Sequence, residues 1–161
     1  GIMSIRIGIG YDSHRLAPGR PLILGGVTVP FDQGLDGHSD GDAIAHALTD
    51  ALLGAAAMGD IGKLYPDTDL RFKGANSIAL LREAVGRMRE AGYVPLQADI
   101  TVIAERPKLG KYFDQMAACL GGACGIPASA IGLKAKTNEG MGFIGRGEGM
   151  AVMAVATIGP A

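Results

Sequence analysis

The chain has 161 residues, 48% hydrophobic and 19% charged, enough apolar side chain to bury a core and too little polarity for a disordered segment. Its 15 Lys and Arg nearly balance 16 Asp and Glu, for a formal net charge of -1, and no basic cluster supplies the field that nucleic acid or an anionic membrane surface requires. The longest apolar run, 51–58, is broken by Gly54 and too short to span a bilayer, and no basic-then-apolar leader opens the chain, so a soluble cytoplasmic protein is expected.

Residues 3–159 are expected to form one domain behind a two-residue cloning remnant, Gly1-Ile2. Ile5, Ile7 and Ile9 alternate with Arg6, Gly8 and Gly10, a period of two that predicts a strand running into a loop over 12–19. The run 21–29 predicts two short strands around Gly25-Gly26. Asp40 or Asp42 caps a helix with Ile44, Leu48, Ala51, Leu52 and Ala55 on its inward face, ending near Gly59. Residues 60–74 carry Gly62, Pro66 and Gly74 among charged side chains and predict an exposed, mobile loop. A second helix starts at Asn76 or Ser77, buries Leu80, Leu81, Ala84, Val85 and Met88, and stops at Gly92.

Further on, 98–104 reads as a strand, 112–120 as a third helix and 126–130 as a capped turn. Two final strands, 131–136 and 150–158, flank "TNEGMGFIGRGEG". Cys119 and Cys124 lie in no CxxC or Cys/His cluster, and buried thiols are expected. Strands and helices mixed without strict alternation predict an α+β fold, a mixed sheet with helices packed on one face.

All three histidines, His14, His38 and His46, fall in the first third of the chain. If the first strand reaches His14, Asp12 and His14 point to one side and offer an oxygen and a nitrogen to one ion; otherwise the pair is a polar turn. His46, from the first turns of the next helix, would complete three protein ligands with a position left open, and Asp50 lies four residues on, placed to support a polar site. In "GHSDGDAIAH" the same residues suit a capped helix start or a phosphate site made of His38, the Ser39 hydroxyl and backbone N–H groups. "KTNEGMGFIGRGEG" offers hydrogen bonds from Thr137 and Asn138, a hard oxygen ligand at Glu139 and a planar cation at Arg146, or else forms a plain hairpin. It is neither a Walker A loop nor a dinucleotide fingerprint. "AERPKLG" leaves a strand through Pro107, as ligand-holding loops and ordinary turns both do.

"YDSHRL", "HSDGDAIAHALTDALLGAAAMGDIG", "YPDTD" and "TNEGMGFIGRGEG", in that order across 6–158, closely resemble the 2-C-methyl-D-erythritol 2,4-cyclodiphosphate synthase family of the non-mevalonate isoprenoid pathway. The resemblance implies an α/β subunit in a homotrimer with active sites between adjacent subunits. It implies zinc on Asp12, His14 and His46, completed by a substrate phosphate, and a second divalent cation, Mg²⁺ or Mn²⁺, on Glu139. His38 and Ser39 would contact the methylerythritol phosphate end, and His38 and Thr137 would stabilise the transition state. Asp60, Ile61, Gly62, Tyr65, Pro66, Asp67, Thr68 and Asp69 would line the erythritol side. Ala104, Glu105, Arg106, Pro107, Lys108, Leu109 and Gly110, with Lys136, Thr137, Asn138 and Glu139, would hold the cytidine nucleotide from the neighbouring subunit. Phe143 and Arg146 match positions around the trimer axis, where some members hold an isoprenoid diphosphate. Tyr65 stands where other members often carry Phe, and Lys136 and Gly140 where some carry Thr and Lys.

The implied enzyme is a phosphorus–oxygen lyase in which a substrate's 2-phosphate attacks the β-phosphorus of its own cytidine diphosphate arm, giving a cyclic diphosphate and CMP. That chemistry needs cations and fixed geometry rather than a strong base, in keeping with a sequence that has ligands and donors but no Ser-His-Asp signature. The competing readings are a zinc-dependent phosphohydrolase with water as nucleophile and a non-catalytic metal- or nucleotide-binding module.

Overall fold

The alternation that begins at Ile5 does not stop at the isoleucines: the first strand, β1, spans Arg6–Pro18, through the segment expected to be a loop. The reason lies at the other end of the chain. The last strand, β7 (Gly149–Pro160), runs antiparallel to β1 and pairs with it from Arg6↔Ile158 to Arg15↔Gly149, so the polar Asp12–His14 stretch finds its ladder far away in sequence. Past Arg15 the strand changes partner and pairs Leu16↔Leu35 with β4 (Gln33–Leu35). The computed structural model describes residues 4–66, 74 and 76–161.

Between these strands lie a small hairpin, β2 (Leu22–Leu24) and β3 (Val27–Val29), turning at Gly25-Gly26, and the helices α1 (Ala43–Ala55), α2 (Ile61–Leu64) and α3 (Ser77–Glu90). Then come β5 (Tyr93–Ile103), α4 (Phe113–Cys124), β6 (Ile131–Lys136) and the one-turn α5 (Gly142–Gly145) before β7. The main sheet has the order β4-β1-β7-β5-β6, with β5 and β6 parallel and the other pairs antiparallel. α1 packs on β1 and β7, α3 on β5 and α4 on β6, which makes the mixed sheet with helices on one face that the patterning predicts. Among the described residues no helix is long and apolar enough to cross a membrane.

Three elements outrun their sequence signals. β5 starts at Tyr93, five residues early, because β7 supplies partners as far as Pro160 and a bulge between Pro95 and Gln97 absorbs the proline. α4 runs through Gly121-Gly122 to Cys124 and ends at Gly125, which takes the left-handed conformation at φ 74°. The expected loop 60–74 contains α2, and Tyr65 is buried, its hydroxyl donating to the Leu80 carbonyl at 3.3 Å. Cys124 is buried and Cys119 half-buried, both as free thiols.

The inner face of β1 is made of glycine. A Cβ on Gly8 would lie 2.0 Å from the Ala51 carbonyl oxygen, and one on Gly10 would lie 1.9 Å from that of Ala47, so α1 rests directly on the strand backbone. The alanines of α1 answer this: Ala43, Ala47, Ala51 and Ala55 are all buried. At its start Asp42, fully buried, accepts hydrogen bonds from Ala45, Gly25 and Gly26 N–H at 3.0, 2.8 and 2.7 Å, capping the helix and pinning the β2–β3 turn to it. Burial pushes the Asp42 carboxyl up to about 6, against the pull of those N–H groups. The isoleucines meanwhile point outward: Ile5, Ile7 and Ile9 keep 63%, 69% and 64% of their surface exposed.

Gly10→Ala therefore has no room. It is expected to lower stability by about 3 kcal/mol, the upper range for an overpacked core, measured as the urea midpoint at constant m-value; a midpoint equal to wild type would show that α1 can lift off β1 freely.

Candidate active site

Where Gly8 and Gly10 bring α1 down, the next inward positions of β1 are Asp12 and His14, and the first turns of α1 present His46 to them. The Asp12 Oδ2 oxygen lies 2.7 Å from His14 Nε2 and 3.2 Å from His46 Nδ1, and one ligand atom from each of the three residues falls within 4.8 Å of the others. The two imidazoles are tilted at 54° with centroids 5.5 Å apart.

Both rings are oriented from behind. His14 Nδ1 is 2.7 Å from the Asp36 carbonyl oxygen, which can only accept, so this nitrogen carries the proton and the Nε2 lone pair of the neutral ring faces Asp12. His46 Nε2 is 2.7 Å from Ser77 Oγ and 3.0 Å from Ser39 Oγ, leaving Nδ1 toward Asp12. Burial works against the charged form of Asp12, but hydrogen bonds and positive charge from His14 and His46 outweigh it and hold the carboxyl below its ordinary range. Burial likewise works against His14 carrying charge, and the Asp12 carboxylate with the Asp36 carbonyl overcomes it and raises the ring. Electron pairs from a carboxylate and an imidazole this close need a cation between them, a proton or a metal ion, and one oxygen with two nitrogens suits a divalent transition metal.

The three ligands open into a cavity of about 370 Å³, whose walls include Gly37, His38, Ser39, Ile61, Gly62 and Tyr65. His38 Nε2 is buried there with no hydrogen-bond partner among the described residues, a polar atom that a ligand can satisfy. Arg20 straps the loop that carries it, donating to the Asp36 carboxylate at 3.3 Å and to the Gly37 and Ser39 carbonyls at 3.3 and 3.0 Å. Asp50 accepts the Ile61 N–H at 2.7 Å and so fixes the start of α2 in the cavity wall, while His46 acts on its carboxyl through charge. Asp60 caps the same helix through Lys63 N–H at 2.8 Å, and Pro66 is exposed outside the wall. Asp67, Thr68 and Asp69 lie outside the described residues.

The other expected residues sit elsewhere. Ser13, Ala151, Ile103 and Lys136 form one row across β1, β7, β5 and β6, so Thr137 begins three strand spacings, roughly 14 Å, from His14. Glu105 is already engaged: its two carboxylate oxygens accept Asn138 and Gly140 N–H, each at 2.9 Å, and tie the 104–110 turn to the 136–140 loop. Thr137 Oγ1 accepts Glu139 N–H at 3.3 Å, and Lys136 Nζ lies 3.5 Å from the exposed Glu139 carboxylate. Glu139 holds a left-handed φ of 55°, at a cost of about 1 kcal/mol that glycine would not incur. Leu109 and Ala104 are buried in the core and offer a ligand only backbone, whereas Pro107, Lys108 and Gly110 edge a separate cavity of about 670 Å³. Arg106 stacks its guanidinium over Phe31, 5.7 Å from the ring centre. Phe143 shares a cleft with Ser13, His14, Arg15 and Glu148, and the Arg146 guanidinium pairs with Glu148 at 3.1 and 3.3 Å.

Sequence reasoning passed over Arg20, Asp36 and Ser77. Ser77 carried a signal, a polar residue at a helix start, but that signal is fully explained by capping, which Asn76 performs instead through Ile78 and Ala79 N–H.

The family model described as the YgbB family matches residues 5–159. The 2-C-methyl-D-erythritol 2,4-cyclodiphosphate synthase of Laribacter hongkongensis is 58% identical over 156 residues, 97% of this chain and 96% of its own. The bifunctional IspDF from Campylobacter jejuni superposes with a TM-score of 0.96 at 45% identity over 99% of this chain, which spans 43% of that larger protein. IspF of Plasmodium falciparum in a CDP complex superposes with a TM-score of 0.85 at 33% identity over 99% of both chains.

His46→Ala removes one of three convergent ligands without touching the glycine contact. Its affinity for Zn²⁺ is expected to fall at least 100-fold in a chelator competition while the urea midpoint of the metal-free protein stays close to wild type; unchanged zinc affinity would eliminate this residue as a ligand.

Proposed function

This chain belongs to the YgbB family, and from that membership we propose that it converts 4-diphosphocytidyl-2-C-methyl-D-erythritol 2-phosphate into 2-C-methyl-D-erythritol 2,4-cyclodiphosphate and CMP. It is a phosphorus–oxygen lyase of isoprenoid biosynthesis acting on a small molecule. The observation that carries this reading beyond kinship is the convergence of Asp12, His14 and His46 on a cavity lined also by His38, whose buried Nε2 has no partner among the described residues.

In the reaction an oxygen of the 2-phosphate attacks the β-phosphorus. A new P–O bond closes the ring, the bond to the cytidine monophosphate oxygen breaks, and CMP leaves with the electron pair. The attacking phosphate is already ionised near neutral pH, so the chain's task is to orient two anionic groups and neutralise them. Asp12, His14 and His46 would hold zinc and Glu139 a second ion, Mg²⁺ or Mn²⁺; bound there, such ions offset phosphate charge and draw electron density from the attacked phosphorus. His38 Nε2–H and the Ser39 hydroxyl donate to the methylerythritol phosphate, and His38 together with Thr137 donates to the oxygen that gains charge. Ile61, Gly62 and Tyr65 wall the erythritol, with Asp50 keeping α2 in place. The 104–110 turn and the 136–139 loop, clamped to each other by Glu105, hold the cytidine nucleotide.

Thr137 leaves the edge strand β6 roughly 14 Å from the His14 side of the same chain. The two halves meet between subunits of a homotrimer, a reading supported by the outer face of the sheet. There Ile9, Val155 and Asp99 form one row and Tyr11, Met153 and Thr101 the next, with Ile9, Tyr11, Met153 and Val155 exposed. A contiguous apolar sheet face of this kind marks a surface for burial. The cytoplasm is the compartment proposed.

Two experiments test the proposal. Incubation of the cytidine substrate with purified protein and divalent metal is expected to give CMP and cyclic diphosphate in equal amounts; orthophosphate instead would identify a phosphohydrolase, and no product with tight CDP binding a passive module. Mixing inactive His46→Ala with inactive Thr137→Ala under conditions of subunit exchange is expected to restore about a quarter of wild-type turnover, the fraction of interfaces that pair two intact halves in random trimers. No recovery between variants that demonstrably exchange would reject a site shared between subunits.

A further inference from the structure

We infer that Ser77, held by Asp40, is the positioning residue that keeps the proton of His46 on Nε2 and its Nδ1 lone pair toward the metal position; this rests on the metal reading of Asp12, His14 and His46.

The direction of each bond follows from what Asp40 can do. Its carboxylate accepts the Ser77 N–H at 3.0 Å through Oδ2 and the Ser77 hydroxyl through Oδ1. An ionised carboxylate has no proton to give, so the hydroxyl hydrogen is spent on it and Ser77 Oγ faces His46 with lone pairs alone. His46 Nε2, 2.7 Å away, must then be the donor. With the Nε2 position protonated, the neutral ring has its lone pair on Nδ1, the nitrogen 3.2 Å from Asp12 Oδ2. The chain from Asp40 through Ser77 to His46 thereby selects both the tautomer and the ring orientation a metal needs, and the carboxylate at its far end makes the imidazole a stronger electron donor.

Ser39 also approaches His46 Nε2, at 3.0 Å, but it has another task and a weaker hold. Its side chain is part of the cavity wall, and its further contacts, Ser77 Oγ and Gly41 N–H, both stand at 3.5 Å. Ser77 is fully buried and faces the ring from behind. When Ser39 turns to a substrate phosphate, His46 keeps its acceptor. The arrangement also links distant parts of the chain, since Asp40 precedes α1 whereas Ser77 is the first residue of α3.

The test reads zinc binding and the state of the ring rather than turnover. By chelator competition, Ser77→Ala is expected to bind Zn²⁺ 10–100-fold more weakly than wild type, the usual loss when the partner behind a ligating histidine is removed. Ser39→Ala is expected to stay within about threefold of wild type for zinc while its KM rises. Equal zinc affinity for Ser77→Ala and wild type, or an equal loss in Ser39→Ala, overturns the inference. In the zinc-loaded wild-type protein, ¹⁵N-detected histidine spectra are expected to show His46 bound through Nδ1 with a protected Nε2 proton, a result that needs no variant to fold. Coordination through Nε2 overturns the inference and leaves the metal site standing; a wild-type protein that binds no zinc overturns the metal reading itself.

Discussion

The contact on which this molecule turns is a helix lying on two glycines. Two residues of strand advance about 6.6 Å and four residues of helix about 6 Å, so Gly8 and Gly10 march in step with Ala51 and Ala47 along the facing surfaces. That commensurate, side-chain-free contact fixes the height of α1 above the sheet and also its position along β1. The next pair of inward positions then falls at the helix start, where Asp12 and His14 meet His46. A side chain inserted under α1 would push the helix off the strand and carry His46 away from Asp12. The geometry of this cluster is a consequence of backbone packing that begins at the next residue of the helix, Ala47.

Asp42 completes the registration from the other end. A fully buried carboxylate is costly unless its oxygens are saturated, and here N–H groups from the helix start and the β2–β3 turn saturate them. The cap therefore locks α1 against sliding as well as stabilising its first turn. Asp40, two residues earlier, accepts the Asp42 N–H at 3.1 Å and turns the rest of its carboxylate to α3, where it orders Ser77. The run Ser39–Asp42 thus divides three short polar side chains: Ser39 lines the cavity, Asp40 holds the partner of His46 and Asp42 caps the helix. Local saturation of this kind also accounts for the absence of a basic patch. Among the described residues, Arg20 is engaged with the Asp36–Ser39 loop and Arg146 with Glu148, so neither presents a free charge.

Periodicity made the helices and most strands legible, because amphipathic repeats and caps are local signals; the five apolar positions read for α1 and the five for α3 are all buried. Local signals failed where the partner is remote. Asp12, Ser13 and Pro18 have loop-forming composition, yet ten consecutive pairings with β7 and three with β4 draw them into a strand. The Ile5–Ile9 alternation marked a strand without saying which face goes inward, and the bulky residues face outward because the helix needs the glycines. Within the site, the ligand types and their spacing could be read from the chain. The groups that orient them could not: an Asp36 carbonyl is invisible in sequence, and Ser77 lies 31 residues from the ring it serves. Glu105 shows the converse, a residue of the right type for ligand contact that the fold uses to join two loops.

The outward isoleucines connect stability to chemistry. Burying an isoleucine is worth about 1.5–3 kcal/mol, and a subunit that leaves Ile5, Ile7 and Ile9 in water forgoes that contribution at each position. This follows directly from the glycine contact: one face of β1 was given up to let α1 come close, so the strand's apolar side chains can be buried only against something outside the subunit. In the proposed trimer that something is another copy, and the same association brings the Thr137–Glu139 loop of one subunit to the His14 side of the next. Assembly then supplies the missing core and the missing half-site in one step. A lone subunit would lack both for a single reason, that its sheet was built with one side for its own helices and the other for its neighbours.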